Sequence, residues 1–117
     1  MAKILIADDS AFMRSVLKNI LAKEGYNDTI EAVDGVDALK KIEEEKADLL
    51  LLDIIMPNLD GIGVLKKIPA GKIKVIVISA VGQEKMMNEA KSLGAVDFII
   101  KPFDAENVLE AVKKVLG

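Results

Sequence analysis

The sequence predicts an α/β protein of one domain, in which a doubly wound, five-stranded parallel sheet carries helices on both faces. Five short apolar segments alternate with five amphipathic segments, which is the order of repeated βα units. Residues 49–52 are four consecutive leucines, and a segment without polar alternation is typical of a parallel strand buried on both faces. No linker, low-complexity segment or internal repeat interrupts the sequence, so we expect a single domain over residues 1–117.

The apolar segments predict five strands, at residues 4–7, 29–33, 49–52, 75–78 and 98–100. The second segment is the most polar, since it contains Thr29 and Glu31, and it therefore suits an edge of the sheet. Right-handed crossovers between consecutive parallel strands then favour the strand order 2-1-3-4-5.

The first two helices are predicted from apolar residues at helical spacing. Ser10 is a suitable cap for the first helix, and Gly25 ends it by supplying a left-handed residue. The second helix follows the turn at Asp34 and ends in a charged segment at residues 43–46. The apolar positions that define these two helices are Phe12, Val16, Leu17, Ile20, Leu21, Val36, Leu39 and Ile42.

The remaining three helices are bounded by residues that begin or end helices. The third is short, because it follows Gly61 and stops at Pro69. The fourth covers residues 85–93, and the fifth covers residues 105–116 with Asp104 as its cap.

The composition excludes several kinds of chemistry. A formal net charge of −3 gives no general attraction to nucleic acid. The sequence contains no cysteine and no histidine, which rules out disulfides, zinc sites of the usual kind and imidazole catalysis. Any metal must then be a hard cation bound by oxygen. Acidic residues begin at Asp8, too early for a signal peptide, and no apolar segment is long enough to span a bilayer, so we expect a cytoplasmic protein.

Charged and hydroxyl side chains stand where four of the predicted strands end. They are Asp8 and Asp9 after the first strand, Asp53 after the third, Ser79 after the fourth and Lys101 after the fifth. Each has an ordinary explanation by itself, as a helix cap, a strand end or a surface lysine. Because the carboxyl ends of parallel strands share one edge of the sheet, we expect these side chains to meet in the crevice beside the first strand.

This set of side chains favours a metal site and phosphoryl transfer. Three carboxylates close together repel one another, so a divalent cation is needed between them. A bound Mg²⁺ brings the total charge of the three aspartates and one lysine to zero. Asp53 is the candidate nucleophile, since an aspartate can form an acyl phosphate and an ionised carboxylate needs no general base. The cation and Lys101 would neutralise the phosphoryl oxygens, and Ser79 would donate a hydrogen bond to them.

Together these residues resemble the receiver domain of two-component response regulators, and the resemblance covers the whole chain. The motifs that carry it are Asp8-Asp9, Asp53 with Met56-Pro57, Asp60-Gly61, Ser79-Ala80 and Lys101-Pro102. The resemblance implies a flavodoxin-like and CheY-like fold. It also implies a phosphoacceptor protein that does not turn over an external substrate.

The resemblance also implies roles for individual residues at the phosphorylation site. Asp53 would accept phosphate from the phosphohistidine of a sensor histidine kinase. Mg²⁺ would be bound by Asp9, Asp53 and the main-chain carbonyl of Ile55, with Asp8 acting through a metal-bound water. Lys101 would form an ion pair with the phosphoryl group.

Further implications concern the switch and the output surface. The resemblance implies a cis peptide bond between Lys101 and Pro102, and a switch pair formed by Ser79 and Phe98. The fourth helix, fifth strand and fifth helix would form the surface that binds a partner. We predict partner contacts at Met86, Met87, Ala90, Phe98 and Phe103.

The phosphoryl lifetime is expected to depend on Ile55 and Val81. In the family that the chain resembles, the residues two after the phosphorylated aspartate and two after the switch hydroxyl tune hydrolysis. Neither Ile55 nor Val81 can orient a water, because neither side chain forms hydrogen bonds. We therefore predict slow autodephosphorylation.

Two segments narrow the resemblance further. Residues 9–14 and 79–83 are similar to chemotaxis regulators of the CheY type, and also to the receiver half of the chemotaxis methylesterase. The chain ends directly after its last predicted helix, so we expect a stand-alone monomeric regulator. It would act on a downstream motor or adaptor protein, with no direct contact to nucleic acid or membrane. The alternative is a receiver domain excised from a methylesterase or another regulator.

Two other classes fit less well. A flavodoxin-like flavin binder needs a phosphate-binding loop after the first strand, where Asp8 and Asp9 would repel the phosphate. A dehalogenase-type phosphatase needs a second aspartate two residues after its nucleophile, where this sequence has Ile55.

Overall fold

Five parallel strands form one sheet in the structure, a computed structural model that describes residues 2–117. The strands are β1 (Ile4–Ala7), β2 (Thr29–Ala32), β3 (Leu49–Leu52), β4 (Lys74–Ser79) and β5 (Asp97–Ile100). Their order is β2-β1-β3-β4-β5, which confirms the predicted sheet and its order. Ala7 lies opposite Ala32 on one side and Leu52 on the other, so three of the strands end at one level.

Five helices alternate with the strands, and four of them begin at a side-chain cap. The helices are α1 (Ala11–Lys23), α2 (Gly35–Glu45), α3 (Gly61–Lys67), α4 (Glu84–Ser92) and α5 (Ala105–Leu116). Ser10 and Asp104 cap α1 and α5, as predicted, and Gly25 adopts the predicted left-handed conformation after α1. Asp34 and Asp60 also cap α2 and α3, and a cap of this kind is worth about 1 kcal/mol.

The core consists of two apolar layers, one on each face of the sheet. Leu50 and Leu52 pack on one face, against α2, α3 and α4. Leu49 and Leu51 pack on the other face, against α1 and α5. Alternate residues of β3 therefore enter opposite layers, and all four are at most 1% exposed, which explains why this strand has no polar alternation.

Two of the apolar residues whose spacing predicted a helix are exposed. Phe12 is 75% exposed and Val36 is 57% exposed. Both lie in the first turn of their helices, beside the edge where β1 and β2 have already ended. Helical spacing therefore identified the helices correctly, but the sheet surface that would cover these two side chains does not extend that far.

The bounds of β1, β3 and α5 are as predicted, whereas those of β2, β4, β5 and α4 differ from the prediction by a single residue at one or both ends. Val33, for example, lies outside β2 and is exposed. Among residues 2–117, none of the helices combines the length and the apolar character needed to cross a membrane.

Candidate functional site

Three acidic residues meet at the carboxyl edge of the sheet. Asp8 and Asp53 directly follow β1 and β3, and the Asp53 N–H donates to the Ala7 carbonyl at 3.0 Å, which extends the ladder by one residue. Their side chains are buried, whereas Asp9 is exposed. One carboxylate oxygen from each of these three aspartates lies within 4.8 Å of the other two. The structure thus brings together the acidic residues that the sequence placed at one edge.

Lys101 bridges the two buried carboxylates from the end of β5. Its Nζ lies 2.8 Å from Asp8 Oδ2 and 3.0 Å from Asp53 Oδ2. Burial by itself would lower the pKa of Lys101, but the hydrogen bonds and charges of Asp8 and Asp53 outweigh burial and raise that pKa above its ordinary value. Lys101 is therefore charged at neutral pH. One lysine still leaves the three aspartates with excess negative charge.

The donor set fits a hard divalent cation. Asp8, Asp9 and Asp53 offer carboxylate oxygens only, and Mg²⁺ prefers oxygen ligands. In residues 2–117, the main-chain carbonyl of Ile55 accepts no hydrogen bond from another residue, so it is free to act as a further oxygen ligand. The acidic cluster can therefore hold a metal ion.

Main-chain hydrogen bonds fix the orientation of both buried carboxylates. Asp53 Oδ1 accepts the N–H of Ile54 at 2.7 Å, and Asp8 Oδ1 accepts the N–H of Ser10 at 2.9 Å. A second oxygen of each carboxylate then points to Lys101. Each buried carboxylate is thus held by hydrogen bonds at both of its oxygens.

Sequence reasoning missed one residue that supports this cluster. Arg14 donates from Nη1 to the main-chain carbonyl of Asp8 at 2.6 Å and from Nε to Glu31 at 2.9 Å. It therefore ties the end of β1 to the edge strand β2. Little in the sequence indicated this role, because an arginine in the first turns of a helix usually faces solvent.

Ser79 and Phe98, the predicted switch pair, are both buried near the site. Ser79 is fully buried at the end of β4, and its Oγ accepts the N–H of Val81 at 3.2 Å. Phe98 is 8% exposed and packs in the core layer that contains α4. In this structure the ring already lies inward, and Ser79 makes no hydrogen bond to the aspartates or lysine of the site.

Two of the predicted partner contacts are not available on the surface. Ala90 and Phe98 are buried, because both belong to the core layer beneath α4. Met86, Met87 and Phe103 are half-buried against the core. Val96 and Ile100, just before and at the end of β5, are large apolar side chains that are exposed instead.

Two local backbone features accompany the site. The peptide bond between Lys101 and Pro102 is cis, as predicted. Gly61 lies against the main chain of Asp53 and Ile54, where a Cβ atom would overlap the Asp53 carbonyl. A residue with a side chain at position 61 would therefore displace the segment that carries the candidate phosphoacceptor.

This fold and this site define a class of protein. The family model of the response regulator receiver domain matches residues 4–113. The chain belongs to that family.

Within the family, the chain is CheY-like. It is 47% identical over 117 residues to the chemotaxis protein CheY of Bacillus subtilis (strain 168), with 98% of each chain covered. It is 43% identical to the sporulation initiation phosphotransferase F of the same organism, covering 97% of this chain and 93% of that one.

Solved structures agree with this assignment. The chain superposes with a TM-score of 0.93 and 38% identity on a chain in the crystal structure of the CheX-CheY-BeF3-Mg²⁺ complex from Borrelia burgdorferi, covering 99% of this chain and 90% of that one. It superposes with a TM-score of 0.88 and 37% identity on the response regulator domain of Thermotoga maritima CheB, covering 98% and 96%.

Proposed function

We propose that this receiver is a phosphorylation switch in which Asp53 accepts a phosphoryl group from the phosphohistidine of a sensor histidine kinase. The observation that carries the proposal is the Asp53 carboxylate itself. It is buried at the carboxyl edge of the sheet, lies 3.0 Å from Lys101 Nζ, and shares a 4.8 Å cluster with two further carboxylates. A carboxylate so arranged is suited to attack phosphorus while the neighbouring charges neutralise the phosphoryl oxygens.

The proposed transfer forms one bond and breaks one bond. A carboxylate oxygen of Asp53 bonds to phosphorus, the phosphorus–nitrogen bond of the phosphohistidine breaks, and the imidazole leaves with that electron pair. An aspartate carboxylate needs no general base for this attack. Lys101, already charged, then pairs with a phosphoryl oxygen, and Ser79 donates a hydrogen bond to another.

Mg²⁺ is the proposed cofactor. Asp8, Asp9 and Asp53, with the carbonyl of Ile55, are the residues that would hold it, with Asp8 acting through a bound water. When bound, the cation supplies the positive charge that lets a phosphoryl group approach three carboxylates. Oxygen-only donors and the unbonded Ile55 carbonyl support this choice.

Chemotaxis is the proposed pathway, with a chemotaxis-type kinase as donor and a motor or adaptor protein as target. Identity of 47% to a chemotaxis protein CheY, and of 46% to the CheY of Thermotoga maritima, supports this assignment. We propose a monomeric cytoplasmic regulator of one domain, over residues 1–117, that turns over no external substrate and contacts neither nucleic acid nor membrane directly. A receiver domain of a chemotaxis methylesterase is the second candidate, since the T. maritima CheB domain superposes closely.

The output surface is proposed to consist of α4, β5 and α5. Phosphorylation would draw Ser79 away from the Val81 N–H and towards the phosphoryl group, and would stabilise the inward position of Phe98. This change shifts an existing equilibrium between two arrangements and does not create a new fold. A partner protein that responds to this change would contact the exposed Val96 and Ile100 and the half-buried Met86, Met87 and Phe103.

Labelling with acetyl phosphate tests the proposed function. We expect the intact mass of the wild-type protein to increase by one phosphoryl group when Mg²⁺ is present, and not when a chelator is present. Asp53→Asn should remain unlabelled, whereas Asp48→Asn, an exposed aspartate just before β3, should be labelled normally. Labelling of Asp53→Asn at the wild-type level would contradict the assignment.

A further inference from the structure

The loops after β2 and β3 are joined at the rim of the site by contacts that the proposed chemistry does not use. Asn58 Nδ2 donates a hydrogen bond to Asp34 Oδ2 at 2.6 Å. Asp34 Oδ1 accepts the N–H of Asp37 at 2.7 Å and so caps α2. The hydrogen bonds from Asp37 and Asn58 lower the pKa of Asp34, which is therefore ionised at neutral pH. One carboxylate thus connects the first turn of α2 to the loop that follows Asp53.

The main chains of these two loops also lie in contact. Gly35 is buried against Leu59, and a Cβ atom at position 35 would overlap the Leu59 carbonyl. Asn58, just before Leu59, adopts a left-handed conformation with φ of 68°, which asparagine tolerates better than most residues. The tip of the loop is therefore held in an uncommon conformation by a partner on another element.

The same loop is held at its base. The Gly61 N–H donates to the Ile54 carbonyl at 2.7 Å, which closes the loop over residues 54–61. Ile55 lies between this base and the Asn58 contact at the tip. Its side chain is 62% exposed, so packing contributes little to fixing its position. Its neighbours Ile54 and Met56 are buried in the core, so the position of its carbonyl depends on these two residues and on the Asn58 contact at the tip.

We propose that Asp34 and Asn58 are positioning residues for the magnesium site. Their hydrogen bond keeps the loop over residues 54–61 ordered, so that the Ile55 carbonyl is in place as a ligand before the cation binds. The proposal rests on the proposed function, since it assumes that the Asp53 cluster binds Mg²⁺. Neither Asp34 nor Asn58 touches the cation or the phosphoryl group. They act through the backbone of Ile55 as outer partners of a metal site do.

Exchanging the two side chains tests this role. In Asn58→Asp, a second carboxylate faces that of Asp34 and the hydrogen bond is lost. In the double variant Asp34→Asn/Asn58→Asp, the amide lies on the opposite residue, so the hydrogen bond re-forms with its direction reversed. Asparagine at position 34 also keeps the cap of α2. The net charge of the double variant equals that of the wild type, which makes it the matched control.

The Mg²⁺ dissociation constant of the unphosphorylated protein, measured by titration calorimetry, is the main readout. We expect Asn58→Asp to weaken Mg²⁺ binding about tenfold, as loss of an outer partner of a metal ligand does, and the double variant to return to within about twofold of wild type. A purely electrostatic effect has the opposite sign, because an added negative charge near the site would tighten cation binding. The direction of the change therefore separates positioning from charge.

Amide hydrogen exchange in the metal-free protein supplies a second readout. The N–H groups of Leu59 and Gly61 form hydrogen bonds within the loop. We expect both to exchange faster in Asn58→Asp and at the wild-type rate in the double variant. Thermal unfolding of each variant shows whether the protein is folded at the temperature of the titration.

The possible failures are distinguishable. Wild-type protein that binds no Mg²⁺ at millimolar concentration would contradict the proposed function, and the positioning role with it. Wild-type binding together with equal or tighter binding by Asn58→Asp would overturn the positioning role alone. Failure of the double variant to recover, although it is folded, would also overturn it.

Discussion

The strand β3 and the residue that directly follows it differ in what they contribute to the protein. Leu49–Leu52 are at most 1% exposed and pack into both core layers. Asp53, the next residue, is 8% exposed and carries a carboxylate. In the part of the chain that the structure describes, the buried polar side chains are Asp8, Asp53 and Ser79, and all three stand at the carboxyl ends of strands.

This difference separates stability from chemistry along a single segment. Burying leucine side chains stabilises the fold, since apolar burial contributes about 25 cal/mol per Å². Burying carboxylates next to one another opposes folding unless they are paired. Substitutions in the leucines should therefore change the free energy of unfolding. Substitutions at the charged residues beyond them should change binding and phosphoryl transfer, with smaller effects on that free energy.

The largest expected effect on stability is in the leucine segment. Leu51→Ala should lower the free energy of unfolding by about 2–5 kcal/mol, because it leaves a cavity between β3 and the helices α1 and α5. Val36→Ala, at an exposed position, should change it by no more than about 0.5 kcal/mol. Urea denaturation measures both. Equal effects of the two substitutions on the free energy of unfolding would contradict the claim that the buried leucines of β3 stabilise the fold.

Removing the lysine of the site should cost less, and Mg²⁺ should partly restore the loss. Lys101→Met leaves the carboxylates of Asp8 and Asp53 without the lysine ammonium group. In the absence of metal we therefore expect the free energy of unfolding to fall by about 1.5–3 kcal/mol. Lys114→Met removes an exposed pair with Glu110 and should have an effect below about 0.5 kcal/mol. The same denaturation series, repeated with Mg²⁺, measures the restoration. A Lys101→Met protein as stable as Lys114→Met would show that the buried carboxylates do not need the lysine.

The rate of autodephosphorylation tests whether the side chains of Ile55 and Val81 control the lifetime of the phosphoryl group. Ile55→Asn combined with Val81→Glu should accelerate autodephosphorylation about tenfold or more, because positioned polar side chains can orient the attacking water. Mg²⁺ affinity should not change, since the ligand proposed at position 55 is a main-chain carbonyl. Decay of the phosphorylated protein after removal of the phosphodonor measures the rate. A decay rate equal to that of wild type would show that these two positions do not control hydrolysis in this protein.

The smallest effect is expected from the pH dependence of Asp34. Its pKa is lowered in the folded protein, first by the Asp37 N–H and then by Asn58, so its contribution to stability is complete above the ordinary aspartate pKa. That contribution disappears as the pH falls through the lowered value. Asp34→Asn should therefore lose less stability than wild type on acidification. Identical acid unfolding curves would argue against the Asp34 hydrogen bonds.

The sequence was sufficient to predict the fold and the acidic cluster, because both depend on simple regularities. Unbroken apolar strands imply burial on both faces, and residues at the carboxyl ends of parallel strands share one edge. Phe12 and Val36 lie in the predicted helices but are exposed, and helical spacing does not show this because it does not show where the covering sheet ends.

The contacts between loops could not be predicted in the same way. Arg14 reaches Asp8 and Glu31, and Asn58 reaches Asp34 across 24 residues of sequence. Each of these side chains is polar and lies in a loop or in the first turns of a helix, where exposure to water is the usual expectation. Only the folded arrangement of the loops gives them partners.

Thermal unfolding with and without Mg²⁺ tests the central claim, that the carboxyl edge is a cation site whose charges oppose folding. Without Mg²⁺, Asp53→Asn should be more stable than wild type by about 0.5–2 kcal/mol, because one of three clustered carboxylates is gone. With Mg²⁺ at about 100 times its dissociation constant, the wild type should gain about 2.7 kcal/mol and Asp53→Asn much less. Equal stabilisation of both proteins by Mg²⁺, or none in the wild type, would contradict the claim.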